Sequence, residues 1–139
     1  MKTMHTIASA LVLTAVTLSP AFGGMMEKGR TAKFTGIGSH NASGTVAIVQ
    51  GENGNTILKM TQIKVDRVPD GRVYLAKDGD YASAVELGSL KQFSGTVAFP
   101  VPASVNAESY NSVLIWCKRF DVGIGHAFFG KGMMEMHGR

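Results

Sequence analysis

Short apolar bursts that alternate every second residue, each closed by a cluster of turn-forming residues, limit what this chain can fold into. They fall at 33–38, 45–50, 56–65, 72–76, 93–100, 113–117 and 120–129. Between them lie Asn41 to Gly44, Gly51-Glu52-Asn53-Gly54-Asn55, Pro69-Asp70-Gly71, Asp78-Gly79-Asp80 and Pro100 to Asn106. Such residues accept positive φ or fix a turn. Alternation with β-branched content suits strands that bury one face. No segment after the leader keeps a 3.6-residue apolar period over several turns. The spacing predicts an all-β domain, an antiparallel β-sandwich or barrel of about seven to nine strands. With 17 glycines and only 17% charged residues, the composition favours turns over long surface helices.

The start of the chain has a different pattern. Lys2 opens a short basic end, residues 7–18 form an apolar run of 12, and Ala21 and Gly23 place small side chains at −3 and −1. This order is that of a signal peptide, with a leader helix and a cut after Gly23. A bilayer span needs ~20 apolar residues, so no stable membrane span is expected after cleavage. The expected organisation is a signal peptide over 1–23, a flexible lead-in over 24–32, a β domain over 33–129 and a Met/His-rich flexible tail over 130–139. The expected localisation is periplasmic or secreted.

Of 14 basic and 10 acidic residues the leader removes only Lys2, leaving a net charge of +3. The cations are scattered, which argues against nucleic acid as a partner. The single Cys excludes an internal disulfide and a four-cysteine zinc site. Gly36-x-Gly38 precedes no helix, the acidic residues near turns lack EF-hand spacing, and no nucleophile elbow or paired catalytic carboxylates are present. Nucleotide binding and hydrolysis are therefore set aside.

The segment 112–129 carries the chemistry. Val113, Ile115 and Cys117 share one strand face and Leu114 and Trp116 the other, so both faces are apolar and the strand is predicted to be central. Phe120, Val122, Ile124, His126 and Phe128 share parity provided that Gly123 and Gly125 introduce no bulge.

The string Ser112-Val113-x-Ile115-Trp116-Cys117-x-x-Phe120-x-Val122 resembles the signature of the electron-transfer DM-thirteen domain. Pro69-Asp70-x-x-Val73-Tyr74-Leu75, Leu87-Gly88-x-Leu90-Lys91 and Gly95-Thr96-Val97 agree with it, and the resemblance covers roughly 34–129. It implies an all-β fold in which the cysteine is the redox centre, as a bare thiol or as ligand to a prosthetic group such as haem or copper. The family also occurs beside DOMON-type domains. This chain shows no such neighbour, so its expected partner is a separate redox protein.

Several readings of the residues stand side by side. An unpaired thiol in an oxidising compartment invites oxidation unless it is buried or ligated. Lys118 and Arg119 follow Cys117 and would lower a thiol pKa if they faced it. In the redox reading Trp116 and Phe120 wall the sulfur, and His126 is a second ligand or proton acceptor. In the alternative, Cys117 fills the core of a non-catalytic extracytoplasmic interaction domain that binds a partner protein. A third reading is a copper-binding protein that uses Met133, Met134, Met136 and His137, soft donors suited to Cu(I). A blue-copper set of Cys117, His126 and Met133 is disfavoured, because the first two lie nine positions apart.

Overall fold

In a computed structural model, which describes residues 30–130, the alternating runs fold into two antiparallel sheets. In chain order the strands are β1 (Arg30–Lys33), β2 (Thr35–Gly36), β3 (Ala42–Gln50), β4 (Thr56–Val65), β5 (Gly71–Lys77), β6 (Asp80–Ser89), β7 (Ser94–Val101), β8 (Ser112–Cys117) and β9 (Val122–Phe128). One sheet has the order β1-β3-β4-β7 and the other β2-β9-β8-β5-β6. A 3-10 turn, Ala107–Ser109, leads into β8. The all-β expectation holds. The leader helix and the tail lie outside the described residues.

The run at 33–38 is not one strand. β1 pairs with β3 and β2 pairs with β9, so the chain changes sheets at Phe34, whose side chain is buried in the core between them. β1 also begins inside the segment expected as a flexible lead-in.

β6 had no counterpart among the expected strands. It is an edge strand, exposed or half-buried along its whole length, so it shows no in–out alternation to read. β8 is central as expected, bonded to β5 and β9.

The core lies between the sheets. Val46, Leu58 and Met60 face Val73, Leu75, Val113, Ile115 and Ile124 from the other sheet, all fully buried. Between them, these large side chains supply most of the apolar burial, which stabilises at roughly 25 cal/mol per Å².

Two glycines permit close approaches, one between neighbouring strands of a sheet and one between the sheets. A Cβ on Gly44, whose φ is +118°, would stand 2.6 Å from the Ile63 Cα at the β3–β4 irregularity. A Cβ on Gly125 would stand 2.6 Å from the Ala42 Cβ. No larger residue fits either place without moving a strand.

Candidate functional site

β8 separates two environments. Its register with β5 sets Cys117 opposite Gly71, Trp116 opposite Arg72 and Leu114 opposite Tyr74. Paired residues of antiparallel strands point to the same face, so Cys117 goes inward while Trp116, Arg72, Leu114 and Tyr74 go outward. Cys117 is 1% exposed, belongs to the inter-sheet core, and makes no hydrogen bond among the described residues. Lys118 is turned away from the sulfur: its ammonium lies 3.2 Å from Glu86 on the outer side. Among the described residues no three of His, Cys, Asp or Glu converge as metal ligands. The sulfur therefore lies among core side chains, outside any cluster of three such ligands in the described residues.

The outer face of the same sheet is built differently. Trp116 and Tyr81 stack with ring centroids 4.0 Å apart and planes 3° from parallel. Tyr74 meets Tyr81 edge-on at 5.1 Å, and the two phenolic oxygens lie 3.3 Å apart in a hydrogen bond. The Trp116 indole N–H donates to the Asp121 carboxylate at 3.1 Å. The ring can lie flat on the sheet because Gly123 sits opposite it. A Cβ there would stand 2.9 Å from Cζ3 of Trp116.

An ion-pair chain borders the aromatic rings. Arg72 donates to Asp70 at 2.8 Å and to Glu86 at 2.6 Å, and Lys118 reaches the other Glu86 oxygen. Burial pushes the Glu86 carboxyl up, but the hydrogen bonds from Arg72 and Lys118 outweigh it and hold its pKa below the ordinary value. The bonds to Asp70 and Glu86 raise Arg72 further above its already high value. Burial, then the hydrogen bond with Tyr81, raises the Tyr74 phenol well above the usual tyrosine range, so Tyr74 stays protonated.

Several expected site residues lie elsewhere. Phe120 does not wall the sulfur: β9 starts at Val122, residues 118–121 form the β8–β9 turn, and Phe120 is 63% exposed at that turn. Trp116 packs on the face opposite Cys117. The proviso about glycines fails at Gly123 and Gly125. Trp116 pairs with Gly123 and Ile115 with Gly125, leaving Ile124 as the extra residue of a bulge. The bulge reverses parity, so Ile124 enters the core. His126 lies outward beside Leu114 and meets Phe128 edge-on at 5.0 Å. His126 and Cys117 are therefore on opposite faces. Met133, Met134, Met136 and His137 fall outside the described residues.

Tyr74, Tyr81, Arg72 and Glu86 did not enter the sequence reading as site residues. Arg72, Tyr74 and Trp116 are visible as outward positions once β5 and β8 are paired. Tyr81 is not, because it sits on the strand that shows no alternation.

Residues 33–129 match the family model described as Electron transfer DM13. No curated protein and no solved structure matches the chain.

Proposed function

Because the chain belongs to the Electron transfer DM13 family, we propose that it is an exported module whose electrons cross the outer face of the five-stranded sheet through Trp116 and Tyr81. The observation that carries this reading is their parallel stack at 4.0 Å. Rings at van der Waals distance overlap electronically, and the two are held in place by a carboxylate, a glycine and a second phenol. The leader pattern of residues 1–23 supports export to the periplasm or the outside.

A one-electron oxidant, in the cell a redox protein, takes an electron from the Trp116 indole. The indole proton moves along its hydrogen bond to Asp121. Tyr81 returns an electron across the stack and releases its phenolic proton to water. Asp121 gives its proton back to the reduced indole, and a donor protein then reduces the Tyr81 radical, which takes up a proton from water. Tyr74, kept as a neutral phenol, fixes the Tyr81 oxygen. Cys117 has no step in this path. Its sealed position supports the core-filling reading of the thiol, and no prosthetic group is required of it.

The test is direct, because Trp116 is the single Trp in the chain. Azide radicals generated by pulse radiolysis oxidise the indole, and transient absorption follows it. The expected result is decay of the indolyl radical with matching growth of a tyrosyl radical, at a rate independent of protein concentration. Tyr81→Phe should slow this transfer strongly. Decay only through encounters between molecules, or an unchanged rate in the Tyr81→Phe variant, would remove the path.

A further inference from the structure

The two exposed large hydrophobic side chains of the described residues are neighbours. Phe120 is 63% exposed and Val122 is 36% exposed, both at the β8–β9 turn. The turn is held in shape. Asp121 takes a left-handed φ of +53°, its N–H donates to the Lys118 carbonyl at 3.3 Å, and its carboxylate accepts from Trp116. Phe120 is thus presented to solvent on a fixed frame.

The charges around this turn share one sign in their free members. It lies at the end of the sandwich where Lys118 N–H meets the Asp70 carbonyl, Leu90 N–H meets Gly71 and Val65 N–H meets Phe93. Every acid here is engaged within the fold: Asp66 with the Asn41 N–H and His40, Asp70 with Arg72, Glu86 with Arg72 and Lys118, Asp121 with Trp116. Arg119, Lys91 and Lys64 have no ion pair or hydrogen-bond partner for their side chains among the described residues. Arg67 lies over the Phe93 ring.

The opposite end is the reverse. Arg30 is occupied by the carbonyls of Ala107 and Tyr110, and Lys77 by the Tyr110 ring. There the Glu52 and Glu108 carboxylates are without partners among the described residues. At the Phe120 end Lys64, Arg67, Arg72, Lys91, Lys118 and Arg119 outnumber Asp66, Asp70, Glu86 and Asp121, while at the other end Glu52, Asp78, Asp80 and Glu108 outnumber Arg30 and Lys77. This charge asymmetry points the Phe120 end toward an anionic surface.

We propose that this end docks on an anionic bilayer surface, with Phe120 entering the headgroup boundary and Arg119, Lys91 and Lys64 over acidic headgroups. Two exposed apolar side chains at one turn are too little for a specific protein interface, which takes ~800 Å² from each partner. A bilayer boundary needs no complementary shape. It accepts one aromatic side chain and rewards each nearby cation. The inference does not depend on the electron path.

The experiment is co-sedimentation of the full chain with vesicles of phosphatidylglycerol and phosphatidylcholine, against phosphatidylcholine alone. All variants are made in the same chain, so whatever residues 1–29 contribute is common to them. Binding should require phosphatidylglycerol and weaken as salt rises. Phe120→Ser should lower the partition coefficient about tenfold and Phe120→Trp should keep it. Each of Arg119→Gln and Lys91→Gln should lower it about fivefold. Glu52→Gln, at the far end, should leave it within about twofold. Since all of these positions are exposed, unchanged Trp116 fluorescence checks the fold. The proposal is overturned if the vesicles are not bound, if binding ignores Phe120→Ser and Arg119→Gln, or if Glu52→Gln shifts it as much as the turn variants do.

Discussion

Replacing Cys117 by Ser separates a sulfur with a chemical task from a sulfur that fills space. The thiol is 1% exposed and makes no hydrogen bond among the described residues. A hydroxyl in its place is a stronger donor and acceptor with no partner, and burying one unpaired lowers stability by ~1–3 kcal/mol. For a domain of this size each kcal/mol lowers Tm by about 4–8 °C. Cys117→Ala loses only packing and should be the milder change. Urea unfolding followed by Trp116 fluorescence reads both variants, and the m-value should stay constant because the native surface is unchanged. Thiol titration gives an independent readout. In native protein the reaction should wait on opening of the fold, whereas in urea it should be immediate. If Cys117→Ser left stability untouched while abolishing electron transfer, the argument from burial would be refuted and the sulfur would return to the mechanism. Rapid titration of the native thiol would refute it as well.

Other positions make further demands. Gly123→Ala places a methyl 2.9 Å from Trp116 and 3.0 Å from Ile37. Overpacking of this kind is expected to lower stability by ~1–3 kcal/mol, shift the Trp116 emission and slow the radical transfer to Tyr81. Ser112→Ala removes a fully buried hydroxyl that donates to the Ala76 carbonyl and accepts from the Gly79 N–H, both at 2.9 Å. The stranded N–H should lower the urea midpoint by an amount equivalent to ~1–2 kcal/mol. Glu86 binds its proton less readily folded than unfolded. Its contribution is therefore complete above the ordinary glutamate range near ~4.3 and is lost as pH falls through the lower folded value. Acid titration of Glu86→Gln should lack that loss. Tyr74 has the opposite sign: its folded pKa is raised, so its contribution is present below the ordinary tyrosine value near ~10 and fades as pH rises through the folded one. Tyr74→Phe should flatten the alkaline limb of the stability curve.

How far the strands could be read depended on their position in the sheets. β4 appears in the sequence with the bounds it has in the fold, and β8 is off by one residue, because each presents a clear apolar pattern between turn residues. β6 was silent, since an edge strand that buries neither face has no period to betray it. The outward pairing of Trp116 with Arg72 was latent in the parity of β8 but needed the β5–β8 register to be seen. The position of His126 was misread for a single reason, an extra residue at Ile124, which changes the face of everything after it.

Local chemistry was enough to establish an all-β chain, a central β8 and the motif around Cys117, because alternation and turn residues act over a few neighbours. Which face of β8 holds the sulfur and which the stacked rings was settled only by pairing across the sheet. The Trp116–Tyr81 stack and the Arg72–Glu86–Lys118 chain join residues 14 to 35 positions apart. No spacing rule reaches that far. Such contacts exist only once β6 and the β8–β9 bulge have fixed where each side chain can point.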